Sequence, residues 1–248
     1  MKIIHVNAGN VRETGFFCMM SRRKSEGYRR KLEWLSGRFQ EGLTIKMLDL
    51  AQGGRGFIEY MPGESAWRPV RAVGYMFIHC LWVVGKSKRR GYARLLVEEC
   101  LADARSRGLS GVAMTTSEGN WMVGRKVLEH LGFESADQAP PSFNLMVRRF
   151  GREPLPSFPT DWEARRKSFG SGLSVVRADQ CPYLEDGARY ALQAARERGI
   201  PGREVILTSA RDVRERAPSP YGVFAILRDG ALLSYHYQLS KDLVKLLD

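Results

Sequence analysis

The sequence predicts an α/β protein in two parts: a mixed sheet with helices on both faces, then a smaller α/β domain. Three observations carry this. Tyr75 to Val84 is a very apolar stretch that gives way, after a short basic turn from Lys88 to Ala93, to the helical pattern Leu95, Leu96, Leu101, Ala102 and Ala104. With what precedes it the patterns run helix, meander, strand, turn, helix, an order that predicts a mixed sheet covered by helices on both sides. Behind it, Gly151 to Pro159 holds Pro154, Pro156 and Pro159 with no sustained period and reads as an extended linker. The expected parts are residues 1–150, a Pro-rich connection at 151–167 with a polar, helical end, and residues 168–248.

Lys2 to Val6 reads as the first strand, and Val11 to Phe39 as one or two amphipathic helices broken near Ser21 to Gly27. Leu43, Ile45 and Met47 alternate with Thr44 and Lys46, as in a strand with one covered face. Gly53 and Gly54 mark a turn, Gly56 to Met61 the next strand, Pro62 to Arg68 a loop, and Val73 to Val84 the long central strand. The helix after the basic turn ends at Gly108. Gly111 to Thr115 is another strand, followed by Ser117, Glu118, Gly119 and Asn120, a further helical stretch, and Leu131, Gly132, Phe133. Trp121 and Met122 read as core residues.

The basic turn is the most informative segment. A helix N-terminus leaves its first backbone N–H groups without intrahelical partners and carries partial positive charge, so it can bind a diphosphate largely by main chain. Gly91 has no Cβ to block the approach and tolerates φ > 0, Ala93 keeps the next position small, and Lys88, Arg89 and Arg90 add charge at the rim. Lys88, Arg89, Arg90, Gly91, Tyr92 and Ala93 resemble the pyrophosphate-binding turn of the GCN5-related N-acetyltransferases (GNAT), which reads Gln/Arg-x-x-Gly-x-Gly/Ala. Lys88 departs from that pattern. Val83 stands where the family has a valine pairing with pantetheine, Leu131-Gly132-Phe133 resembles the end of the next family motif, and Asn120 resembles an asparagine that touches the cofactor. The resemblance covers residues 1–150.

That resemblance implies acetyl-CoA as cosubstrate, bound by Leu81, Val83, the turn from Lys88 to Ala93 and Asn120, and acetyl transfer to a primary amine by direct attack. It implies two strands that splay apart around pantetheine and a strand N–H, from Leu81 or Trp82, that stabilises the oxyanion. Simple alternation puts Phe77, His79, Leu81 and Val83 on one face. The position of a glutamate base in histone-acetylating members is Phe77 here, so His79 becomes the candidate base, with Glu59 second. Where many members have a tyrosine acid, this chain has Leu128; His130, Ser117 and Tyr92 remain candidates. Trp67, Tyr60 and the Arg-rich helix are the positions considered for an acceptor pocket.

In the second domain, Leu173 to Arg177 reads as a strand, Leu184 to Arg198 as a helix ended by Gly199, and Val205 to Leu207 as a strand. Val223 to Leu227 and Ala231 to Tyr235 form a hairpin, and Lys241 to Leu247 a closing helix. The order, with Cys181-Pro182-Tyr183 at a strand-to-helix turn, resembles a small thioredoxin or glutaredoxin fold, in which Pro220 would correspond to the cis-proline. Leu184 stands where a second cysteine would close a disulfide, so Cys181 is a lone thiol at a helix start. A GNAT domain joined to such a domain resembles the YoaP-like acetyltransferases.

Net charge is +12, and the first 150 residues carry 24 Lys+Arg against 14 Asp+Glu, so the basic character belongs to the first domain. Such a field draws anionic ligands. Many of these charges lie among Arg22, Arg23, Lys24, Arg29, Arg30 and Lys31, interleaved with Glu26 and Glu33, and no RNA-binding signature accompanies them, so nucleic acid is not an expected partner. Cys18, Cys80, Cys100 and Cys181 show no zinc spacing, so no metal is expected. No apolar run reaches membrane-spanning length and the start does not read as a secretory signal, giving the expectation of a reduced, cytoplasmic protein. Two other function classes stay open at this point: a CoA-sensing or RNA-binding module without turnover, and a monothiol redox protein centred on Cys181.

Overall fold

A computed structural model of the chain describes residues 2–50, 55–88, 90–118, 121–238 and 240–247, except the side chains of 86, 240, 241 and 244. Gly53, Gly54, Arg89, Gly119 and Asn120, all named above, lie outside the described residues. Contacts group the chain into two compact units, one of Met1–Met20, Leu35–Ala66 and Val70–Phe158, the other of Ser21–Trp34, Trp67–Pro69 and Pro159–Asp248.

The first unit holds a seven-stranded sheet of β1 (Lys2–Val6), β2 (Thr44–Asp49), β3 (Arg55–Pro62), β4 (Tyr75–Val83), β5 (Gly111–Thr116), β6 (Glu134–Ala139) and β7 (Phe143–Arg149), ordered β1-β2-β3-β4-β5-β7-β6. Every neighbouring pair is antiparallel except β4 and β5. The parallel pair needs a crossover, and a 15-residue helix supplies it, α3 (Tyr92–Ser106). Leu96, Val97, Cys100, Leu101 and Ala104 recur at helical spacing and are fully buried against Ile58, Met76, Ile78, Val112 and Met114. The shorter α1 (Val11–Thr14) and α4 (Arg125–His130) lie in the connections, and α2 (Glu26–Gln40) precedes β2.

Lys46 corrects the expectation of a strand with one wet face. It is only 2% exposed, because its ammonium reaches Glu99 and Asp103 of α3 at 3.0 Å each. The Pro-rich stretch is held along the first unit: Ser157 pairs with Arg71, Tyr75 Oη donates to the Pro154 carbonyl at 2.9 Å, and Phe158 N–H donates to Asp137 at 2.8 Å.

The second unit contains α5 (Trp162–Lys167), β8 (Leu173–Arg177), α6 (Leu184–Glu197), β9 (Gly202–Ile206), α7 (Ala210–Arg216), β10 (Phe224–Arg228), β11 (Ala231–Ser234) and α8 (Ser240–Leu247). Its four-stranded sheet is ordered β11-β10-β8-β9, with β8 and β9 parallel and the other pairs antiparallel. β8 is buried along its whole length, as a central strand covered on both faces must be. Ala188, Ala191 and Ala195 of α6 keep that helix's buried face small. The Ser219–Pro220 bond is trans, which corrects the expectation drawn from the thioredoxin resemblance; among the described residues the cis bond is Pro140–Pro141.

Candidate active site

β4 and β5 pair from Tyr75↔Gly111 to Ile78↔Met114 and no further. β4 then runs on to Val83 alongside β3, while β5 runs on to Thr116 alongside β7. The two strands therefore part company at the middle of the sheet, and the backbone of residues 79–83 loses its neighbour on one side. Which groups face that opening follows from one hydrogen bond. Val84 N–H donates to the Arg55 carbonyl of the β3 side at 3.0 Å. Since N–H direction alternates along a strand, Trp82 N–H also points toward β3, and the N–H groups of Leu81 and Val83 point into the opening.

The pairing of β3 with β4 shifts by one residue at Glu59/Tyr60, where Glu59 faces Cys80 and Tyr60 faces Ile78. His79 is the extra residue of a bulge. A bulge breaks the period-2 alternation, and this overturns the expectation that Phe77, His79, Leu81 and Val83 share a face. Leu81 and Val83 instead pack with Met76 and Ile78 toward the core that includes α3. His79 lies 6.2 Å from the Phe77 ring, and its Nδ1 is 3.3 Å from Glu59 Oε1. Both partners are buried, His79 at 5% and Glu59 at 2% exposure. The two candidate bases are thus one buried pair, assembled by the bulge.

At the far end of β4 the chain makes a short turn over Gly85–Ser87 and enters α3 through Gly91, which caps the helix in the left-handed region at φ 78°. The first intrahelical bond runs from Leu95 N–H to the Gly91 carbonyl at 3.0 Å, so Tyr92, Ala93 and Arg94 precede any intrahelical donor. A Cβ built at Gly91 would meet nothing within 4 Å. The space above this turn is open, and glycine is required there by its φ alone. Lys88 and Arg90 are exposed, and the Lys88 ammonium stands 5.8 Å from the Trp82 ring. Tyr92, Ala93 and Val83 pack on the core beneath.

Other expected positions fall elsewhere. Leu128 is fully buried in the core. His130 is exposed, with Nδ1 2.6 Å from the carbonyl of Lys126 in its own helix, and buried Ser117 lies 3.4 Å from Ser142. Tyr60 cannot line an acceptor pocket: it is fully buried, its hydroxyl bonds Asp103, and burial together with that carboxylate pushes its phenol far above the usual range. Trp67 is equally buried, packed edge-on against Trp34 at 5.2 Å. The Arg-rich helix is tied up in ion pairs, Arg29 with Glu26 and Glu33, Arg30 with Glu26, and Arg22 with Asp186. Trp121, expected in the core, is 60% exposed at φ 69° and stacks at 6.1 Å on Trp82.

In the second unit Cys181 is partly buried, two residues ahead of the Tyr183 cap of α6. A Cβ at Gly27 would stand 2.0 Å from the Pro182 carbonyl oxygen. Arg68 reaches Gln180 at 3.4 Å, and a Cβ at Gly222 would stand 2.6 Å from Pro69. The turns at 180–182 and 219–222 are therefore covered by two other segments of the same unit.

Residues 18–133 match the model of the acetyltransferase (GNAT) family. The chain is 27% identical over 253 residues, spanning all of this chain and 99% of the relative, to the uncharacterized N-acetyltransferase YoaP of Bacillus subtilis. Among solved structures, a GNAT family N-acetyltransferase (YhbS) of Escherichia coli in complex with CoA aligns at 17% identity and a TM-score of 0.42, covering 64% of this chain and 89% of that one. A putative GNAT acetyltransferase from Desulfovibrio desulfuricans aligns at 12% identity with the same TM-score, covering 60% of this chain and all of the other. The family-model match over residues 18–133 and the whole-length likeness to an N-acetyltransferase mark the chain as an acyltransferase.

Proposed function

We propose that the protein transfers an acetyl group from acetyl-CoA to a primary amine by direct attack. The observation that carries this is the opening between β4 and β5, which leads to the glycine-capped start of α3 and presents the Leu81 and Val83 N–H groups. The diphosphate is held by the N–H groups at the start of α3, with Lys88 and Arg90 neutralising charge at the rim. Pantetheine lies in the opening as an extra strand beside β4, paired through Val83. Leu81 rather than Trp82 donates to the thioester oxygen, because only the former's N–H faces that way. As the amine nitrogen bonds to the carbonyl carbon, negative charge grows on that oxygen, where a fixed donor is worth most. The His79–Glu59 pair receives the amine proton, the C–S bond breaks, and CoA leaves as thiolate to be protonated by solvent.

The second unit, with its β11-β10-β8-β9 order, fits a thioredoxin-like scaffold. Its Cys181 turn is covered by the segment around Gly27, which favours a packing role over redox exchange with an outside protein. Nothing in the acyl-transfer step uses that thiol.

Gly91→Glu tests the donor site. The side chain has room, so the fold bears only the roughly 1–2 kcal/mol of a non-glycine residue in the left-handed region, while its carboxylate repels the diphosphate. Acetyl-CoA binding measured by calorimetry is expected to vanish, and Gly91→Asn to retain most of it. Undiminished affinity in Gly91→Glu would refute the assignment.

A further inference from the structure

Trp82 and Trp121 are the least explained residues of the first unit. Trp121 is 60% exposed, in a conformation strained for a residue with a side chain, and its ring stacks at 6.1 Å and 29° on the half-buried ring of Trp82. Burial does not explain this exposure. A centroid separation of 6.1 Å is that of an offset aromatic pair, and a third ring between the two needs roughly 7 Å between their planes. A small swing of the exposed Trp121 is enough to admit one flat group.

The side of the sheet on which this slot opens is fixed by the bulge. Leu81 and Val83 face the core that includes α3. Trp82, between them, faces the other way, toward the side of the Glu59–His79 pair. Donor and acceptor must reach the thioester from different directions, and α3's start lies with the donor. Along β4, Trp82 stands three residues from His79, roughly 10 Å, a span that a ring and a short aliphatic tether ending in nitrogen fill. Charge narrows the choice further. Arg55 stands 5.7 Å from the ring of Phe17 on the same aromatic surface, and a second positive charge on the acceptor would be repelled there. Phe17, stacked at 4.3 Å on Phe57, continues the aromatic surface on β3, whose Phe57 is register partner of Trp82.

We propose that the acceptor is a monoamine bearing a flat aromatic group, which inserts between Trp82 and Trp121 while its nitrogen reaches the His79–Glu59 pair. This rests on the acetyl-transfer reading above, and it adds the substrate class and a specificity role for Trp121.

The test uses the full chain, acetyl-CoA, and three probes: 2-phenylethylamine, n-hexylamine and spermidine. CoA thiol release reports turnover, and quenching of tryptophan fluorescence reports amine binding. The expected result is a kcat/KM for 2-phenylethylamine about tenfold or more above that for the other two. Trp121→Ala should reduce this preference by about 3–10-fold, through the KM of the aromatic amine, and Trp121→Phe should keep it. Equal use of 2-phenylethylamine and n-hexylamine, a preference for spermidine, or a Trp121→Ala effect that falls on the KM of acetyl-CoA overturns the aromatic slot and leaves acetyl transfer standing. Tight acetyl-CoA binding with no turnover and no quenching by any of the three amines overturns the slot together with the enzymatic reading.

Discussion

His79 and Glu59 form a buried pair on adjacent strands. A buried imidazole beside a buried carboxylate at 3.3 Å can take a proton from an incoming ammonium or amine. In His79→Ala, turnover near neutral pH is expected to fall about 100-fold and to recover as pH approaches the acceptor amine's own pKa, since the amine then arrives without its proton. Rate profiles of both proteins with one amine check this, and parallel profiles would reduce His79 to a structural role. At this scale the sequence was informative where backbone sets the chemistry. Gly91 and the turn around it were legible because a left-handed helix cap has few residue solutions. Trp121 was not, because an aromatic residue outside any periodic pattern carries no sign of which way it faces. The pairing of His79 with Glu59 was hidden too, since a bulge is a feature of two strands together and leaves no mark on either alone.

Helix α3 is fixed to β2 and β3 by a buried polar cluster as well as by its apolar stripe. Lys46 bonds Glu99 and Asp103, Tyr60 bonds Asp103, and Cys100 is wholly buried among them. Burial is the main cause that pushes both the Cys100 thiol and the Tyr60 phenol up, with Asp103 adding to each. The unfolded chain releases a thiol proton near pH 8.5 and a phenol proton near pH 10, while the folded chain holds both. Between those pH values and the raised ones the native state binds more protons, so stability falls as pH rises. The urea midpoint is therefore expected to drop from about pH 8.5 upward, and Cys100→Ala and Tyr60→Phe should each flatten the slope; an unchanged slope in both would place the loss elsewhere. Elements of this kind, long and strongly periodic, were legible in advance, as were β1 to β5 and the closing hairpin. β6 was not read, and its exposed sequence Glu-Ser-Ala-Asp-Gln-Ala explains why: an edge strand without alternating apolar residues has no period to detect. The short α7 was missed for the same want of a stripe, since only Val213 is buried in it.

The whole chain does not divide at one point. Ser21–Trp34 and Trp67–Pro69 group with Pro159–Asp248, so the second unit is assembled from three stretches of sequence. Charge counts and a proline cluster cannot reveal that, because a discontinuous unit is defined by contacts far apart in the chain. A chain ending at Phe158 should lose the surface on which residues 21–34 rest. Trypsin is then expected to cut among Arg22, Arg23, Lys24, Arg29, Arg30 and Lys31 much faster than in the full chain, by peptide mapping. Equal protection would show that this helix stands without the rest of its unit.

The closeness of Gly27 to the Pro182 carbonyl also sets an order of events. During synthesis Gly27 leaves the ribosome 155 residues before Pro182. At about 5–20 residues per second this is an interval of roughly 8–30 s. For that time the first half of α2, with Tyr28 among its buried side chains, lacks the last stretch of its unit. The second unit is finished only when its last stretch arrives to claim the first.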